Sequence, residues 1–259
     1  MDRWPRPAGR AGTYLSRTLR SKKESLNMEL AAEGPMAIPL WINGHVYLSM
    51  GESLYDVVSP RTGETLRRVP LCGAGEAAQA VAAARAAQPE WAEMGLNARR
   101  VCLNALADGL EQYAGHFAKL LGQETLLDDE AAAAEVKAAV AALRAAEVGE
   151  TGIVGVIVDA ERPLSAAAAA IAPALLAGAA VVIKPSPRAP AAVFVLCELS
   201  ARAEWPGGVL NLLQGDTAAI EGLCVAGVER LVYRGNAALG VQIGAIAEAA
   251  GTPFVLQAV

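Results

Sequence analysis

The sequence predicts an α/β protein: a parallel five-stranded sheet with helices on both faces, preceded by a β-hairpin and a helical segment. Three observations predict it. From residue 152 onward, apolar runs of four to six β-forming residues alternate with helical stretches of ten or more, a spacing that requires crossover connections and hence parallel strands. Between residues 74 and 146 the apolar period becomes that of helices. Ahead of both, Trp41-Ile42-Asn43-Gly44-His45-Val46-Tyr47 sets Asn-Gly between β-formers, the signature of a two-residue hairpin.

Taken in order, residues 1–37 differ in character from the remainder of the chain. Arg3, Arg6, Arg10, Arg17, Arg20, Lys22 and Lys23 face only Asp2 before Glu24, and no apolar signal-peptide stretch comes after them. They read as a disordered tail, as the product of a start codon upstream of Met28 or Met36, or as a basic organelle-targeting peptide. The domain proper runs over 38–259, with a β-rich part at 38–71, a helical part at 74–146 and βα units at 152–259. After the hairpin come a strand at 55–60, a turn at Arg61-Thr62-Gly63-Glu64 and a strand at 65–70. Helices are expected at 74–88, 97–113, 114–125 and 129–146, each with an apolar stripe. Strands at 153–158, 180–184, 209–213, 230–233 and 253–256 then alternate with helices at 163–176, 190–202, 217–226 and 236–250.

Composition narrows the function. The chain has 259 residues, 54% of them apolar, and a formal net charge of −5, which gives no electrostatic ground for binding nucleic acid or an anionic membrane. The longest apolar run, 164–183, is broken by Pro173 and Gly178 and leads into Lys184, the punctuation of a helix and a buried strand and not of a membrane span. Cys72, Cys102, Cys197 and Cys224 have no paired spacing, so neither a disulfide framework nor a metal site is expected, and reduced thiols point to a cytoplasmic location.

Ligands of parallel sheets bind outside the carboxyl ends of the strands, and three such ends stand out. Lys184 closes an apolar strand on a turn stiffened by Pro185 and Pro187, where its ammonium is either solvated or a donor to a ribose hydroxyl. Tyr233-Arg234-Gly235-Asn236 opens a helix: Gly235 permits close backbone approach, Asn236 is a cap, and the first amides suit a phosphate, although ordinary capping accounts for the same residues. Gly215-Asp216-Thr217 is a similar turn and cap.

One colinear series joins these pieces. It runs through Trp41-Ile42-Asn43-Gly44, Ser59-Pro60-x-Thr62-Gly63-Glu64, the alanines at 82–87 with Trp91, Ile171-Ala172-Pro173-Ala174-Leu175-x-Ala177-Gly178-x-x-Val181-Val182-Ile183-Lys184-Pro185-Ser186, then Pro206-x-Gly208-Val209-Leu210-Asn211 and Gly215. This series resembles the aldehyde dehydrogenase superfamily over roughly residues 38–259. The resemblance implies a Rossmann-like NAD(P)-binding domain in which the lysine of the Lys-Pro-Ser context contacts the adenosine ribose. The candidate cofactor-binding residues by that match are Lys184, Ser186, Gly215, Gly235 and Asn236, with NAD or NADP as the cofactor, its binding weak or lost. No catalytic and no metal-ligating residue is assigned.

The departures fall on the chemical positions. The family's Pro-Trp-Asn-Phe-Pro, whose asparagine helps form the oxyanion hole, corresponds to Asp159-Ala160-Glu161-Arg162-Pro163; its Lys-Pro-Ser-Glu acid is Pro187; its Phe-Thr-Gly-Ser is Tyr233-Arg234-Gly235-Asn236; and its Glu-Leu-Gly-Gly, source of the general base, aligns with Gln257-Ala258-Val259. The domain that carries the family's nucleophilic cysteine would follow Val259, so the resemblance covers the N-terminal, NAD(P)-binding part only, in degenerate form. The stretch between Thr125 and Gly152 is also short for the strand arm that pairs subunits in the family. The expectation is a catalytically inactive relative serving as an interaction or oligomerisation module, with a protein partner or a homo-oligomer. The alternative is the cofactor-binding half of a split NAD(P)-dependent aldehyde dehydrogenase that oxidises an aldehyde to a carboxylate.

Overall fold

A computed structural model describes residues 37–49 and 53–258; the expected tail, apart from Ala37, lies outside the described residues. Four short strands come first: β1 (Leu40–Ile42), β2 (His45–Tyr47), β3 (Leu54–Val58) and β4 (Thr65–Pro70). Four helices follow, α1 (Ala74–Glu93), α2 (Leu96–Gln112), α3 (Ala114–Glu124) and α4 (Asp129–Arg144). The rest alternates: β5 (Ile153–Val158), α5 (Pro163–Leu176), β6 (Ala180–Lys184), α6 (Ala191–Arg202), β7 (Leu210–Leu212), α7 (Thr217–Val225), β8 (Arg230–Gly235), α8 (Ala237–Ala249) and β9 (Phe254–Ala258).

The main sheet has the order β2-β1-β7-β6-β5-β8-β9. Its five parallel strands, from β7 across to β9, are those the alternating pattern predicts. The hairpin that precedes these strands in the chain also joins their sheet, bringing it to seven strands: β1 pairs antiparallel with β7 through Trp41 and Leu212 and carries β2 with it. The physical reason is the edge of β7, an open row of backbone groups that the wholly buried β1 covers. Asn43 and Gly44 both have positive φ, 56° and 78°, as a primed two-residue turn requires. The buried Asn211 then ties the hairpin down, accepting from the Asn43 N–H at 3.0 Å and donating to Gly208 O at 2.6 Å. Strands β3 and β4 form a separate two-stranded sheet.

Side chains on the parallel strands alternate between two cores, as the period of two dictates. Val154, Val156, Val158, Val181, Ile183 and Leu212 face the core shared with α5 and α6, behind which α2, α3 and α4 pack. Ile153, Ile157, Val182, Leu231 and Tyr233 face the core shared with α1, α7 and α8. The chain moves outward from β5 to β6 and β7, then returns to set β8 on the other side of β5. This reversal leaves a crevice between the carboxyl ends of β5 and β8, where ligands of such sheets bind.

Candidate functional site

The crevice is built from the β5–α5 turn and the β8–α8 turn, and a carboxylate spans it. Asp159, directly after β5 and only 7% exposed, accepts from the Glu161 N–H through Oδ1 at 3.0 Å and from the Asn236 N–H through Oδ2 at 2.7 Å. The Asn236 side chain caps α8 in turn, accepting from the amides of Ala238 and Leu239 at 2.9 and 3.4 Å. Gly235, with φ of +154°, leaves room that the Asp159 carboxyl group fills: a Cβ there would lie 2.5 Å from Asp159 Cγ and 2.7 Å from Tyr233 Oη. The Tyr233 hydroxyl is buried beside the same carboxylate, and burial first and the Asp159 charge second raise its pKa.

At the neighbouring mouth, Lys184 ends β6 and is 3% exposed. Its Nζ donates to Pro185 O at 2.9 Å and Gly215 O at 2.8 Å, which joins the end of β6 to the turn before α7. Burial lowers the pKa of this ammonium to about 8, and Asp216 counters the shift. Gly215 has φ of +130°, and a Cβ would lie 2.9 Å from Ala219 Cβ and 3.1 Å from Cys72 N. Ser186 is half-buried, with its hydroxyl accepting from the Arg188 N–H at 3.3 Å. The structure thus brings Lys184, Ser186 and Gly215 to one mouth, and Gly235 and Asn236 to another. The two mouths are set apart by β5, roughly 10 Å from strand β6 to strand β8.

The same carboxylate pattern recurs along the whole edge. Glu135 of α4, fully buried, accepts from the Ser165 amide and hydroxyl at 2.9 Å each and so caps α5, with Arg162 Nη1 at 3.6 Å. Glu124, at the end of α3, accepts from the Ala191 N–H at 2.9 Å and caps α6 while pairing with Arg67 at 2.8 Å. Asp216 caps α7 through the Ala218 N–H at 3.1 Å. Each helix that starts at the carboxyl edge, where its dipole favours an anion, therefore already has a protein carboxylate on its first turn. Sequence reasoning singled out none of Asp159, Glu124 and Glu135 as caps. An acid right after an apolar strand was the available signal for Asp159, but its partner stands 77 residues away.

Beside this edge lies a cleft of about 580 Å³ lined by Tyr55, Val58, Glu124, Leu127, Glu161 and Arg188. Burial raises the Glu124 pKa to about 7, against the opposing pull of the Ala191 amide and Arg67. Since this folded value lies above the unfolded one of 4.5, the folded state holds the proton more tightly. The resulting stability is whole below the unfolded value and declines as pH rises to about 7. Urea unfolding at a series of pH values should show that decline, worth at most about 3 kcal/mol, and Glu124→Gln should flatten it. A slope unchanged in the variant refutes the assignment.

Two further positions bear on chemistry. Glu161 is exposed on the rim of the cleft, and Gln257 Oε1 accepts from Arg234 Nη1 at 3.1 Å. All four cysteines are free; Cys72, Cys197 and Cys224 are buried, Cys102 half-buried. Burial raises the pKa of every one, that of Cys72 to about 12, so none is an activated thiolate. Among the described residues no cluster of His, Cys, Asp and Glu is arranged to hold a metal ion, and no helix is long and apolar enough to cross a membrane.

Comparison with known proteins adds to this geometry. The model of the aldehyde dehydrogenase family matches residues 47–151 and 149–258. A malonate-semialdehyde dehydrogenase of Pseudomonas aeruginosa is 33% identical over 208 residues, which are 71% of this chain and 42% of that protein. An N-succinylglutamate 5-semialdehyde dehydrogenase of Caulobacter sp. is 33% identical over 205 residues, again 71% and 42%. Of solved structures, lactaldehyde dehydrogenase from Escherichia coli superposes with a TM-score of 0.79 at 25% identity, covering 86% of this chain and 52% of that one. An indole-3-acetaldehyde dehydrogenase of P. syringae in complex with NAD+ and IAA gives 0.77 at 26%, covering 85% and 50%. The chain spans less than half the length of these curated relatives.

Proposed function

The chain belongs to the aldehyde dehydrogenase family, and from that membership we propose that it is a catalytically silent relative whose Rossmann-like scaffold serves as an interaction or oligomerisation module. The observation that carries this reading is the β5–α5 turn, where Glu161 sets a carboxylate at the position at which the family resemblance calls for an amide, with Asp159 a second carboxylate two residues before it. A carboxylate repels a developing oxyanion, and loss of one such donor alone costs on the order of a hundred- to a thousandfold in rate. Gln257, at the position of the general base, accepts no proton at neutral pH. A cysteine supplied by another polypeptide would leave both positions as they are, which is why this reading stands ahead of the cofactor-binding half of a split NAD(P)-dependent dehydrogenase.

Apolar side chains exposed near the β9 edge, Val241 at 69% and Val255 and Leu256 at 41% each, supply a surface for association. The four free thiols suit a reducing, cytoplasm-like compartment. The test incubates the purified chain with aldehydes and NAD+ or NADP+ and follows reduced nicotinamide and acid. The expected rate equals that of the protein-free control, and sedimentation is expected to show self-association or a partner retained from the native extract. Stoichiometric acid and reduced cofactor would overturn the silent reading. A lone monomer with no partner would overturn the module. Acid formed only after a cysteine-bearing polypeptide is added would establish the split enzyme instead.

A further inference from the structure

We propose that Asp159 is a built-in occupant of the phosphate position at the β5–β8 crevice, so that this chain turns away the pyrophosphate of the dinucleotide that its scaffold is shaped to receive. Binding is at stake and not turnover, so exclusion of the dinucleotide stands or falls separately from catalytic silence. In a sheet that reverses its strand order, an anionic ligand lies outside the strand ends on the free amides of the following helix. Here the reversal is between β5 and β8, and the following helix is α8.

Four features of that place argue for exclusion. The Asn236 amide is taken by Asp159 Oδ2 at 2.7 Å, and those of Ala238 and Leu239 by Asn236 Oδ1. The gap that Gly235 leaves, which elsewhere would let phosphate meet the backbone, holds the Asp159 carboxyl carbon within 2.5 Å of where a Cβ would stand. Asp159 is 7% exposed, so its charge is little screened, and Glu161 beside it adds a second negative charge. At the adjoining mouth the Lys184 ammonium, which the family resemblance turns to the adenosine ribose, is buried and engaged by the carbonyls of Pro185 and Gly215. The residues present therefore do not fit NAD or NADP.

The test titrates NAD+ and inorganic pyrophosphate by calorimetry into the full chain, Asp159→Ala and Asp159→Asn at low and moderate salt. The original chain is expected to show no saturable binding of either at millimolar concentration. Asp159→Ala should bind pyrophosphate roughly tenfold or more tightly than the original chain, an effect that weakens with salt. Asp159→Asn, which keeps one of the two acceptor oxygens and drops the charge, should fall between the two. If Asp159→Ala melts below the assay temperature, Asp159→Asn carries the test, with its melting temperature raised by pyrophosphate while that of the original chain is not. Submillimolar NAD+ binding by the original chain, or pyrophosphate affinity that neither substitution changes, would overturn the proposal.

Discussion

Replacing Trp91 by alanine is expected to destabilise the fold by about 4 kcal/mol and to lower its melting temperature by roughly 10 °C. Trp91 lies near the end of α1, fully buried, with its ring centroid 5.2 Å from that of Trp205. Its indole N–H donates to Leu175 O at 2.8 Å, in the last turn of α5. Arg99 of α2 fastens the same joint, donating to Leu176 O at 3.0 Å and Ala92 O at 2.6 Å. Truncation therefore opens a cavity where α1, α2 and α5 meet and removes one of the two donors to Leu175 O, which keeps the Gly178 N–H at 3.0 Å. Trp91→Phe, which keeps most of the volume, should cost closer to 2 kcal/mol. Val101→Ala, at a side chain 67% exposed, should change little. Urea unfolding measures all three, and a Trp91→Ala cost no larger than that of Val101→Ala would mean that this joint does not hold the helices together.

What could be read ahead of the structure divides along the range of the interactions. The βα alternation, the Asn43-Gly44 turn and the end of β6 at Lys184 are written in neighbouring residues, because periodicity and turn chemistry act over a few positions. The pairing of β1 with β7 joins residues such as Trp41 and Leu212, and no local pattern announces it. The acids that cap α5 and α6 stand 30 and 67 residues away, and the one that accepts from the α8 cap residue stands 77 away, whereas Asn236, the α8 cap itself, is local and was legible. In the sequence Glu124 and Glu135 look like polar positions of amphipathic helices, yet the fold buries both. The candidate site was legible as a set of strand ends. Its electrostatics were not, since the acids that set the charge of the edge belong to elements far along the chain.

Gly235→Ala is expected to cost about 3 kcal/mol or more, a loss large for so small a change. Two causes add. The backbone there has φ of +154°, a conformation L side chains rarely adopt, and the new methyl would stand 2.5 Å from Asp159 Cγ and 2.7 Å from Tyr233 Oη. Tyr233 is fully buried and cannot swing into solvent, so the carboxylate must yield, and with it the hydrogen bond to the Asn236 amide. A double-mutant cycle separates the causes. If Asp159 is what Gly235 accommodates, Asp159→Ala with Gly235→Ala should recover about 1–2 kcal/mol of the sum of the single costs, leaving the backbone strain and the tyrosine contact. Strict additivity would mean that the glycine answers to its backbone angle alone, and that carboxylate and glycine came to face each other without either requiring the other. A coupling of the expected size would show the β5 and β8 turns to be one unit, in which the acid on one strand end fills the vacancy left on the next.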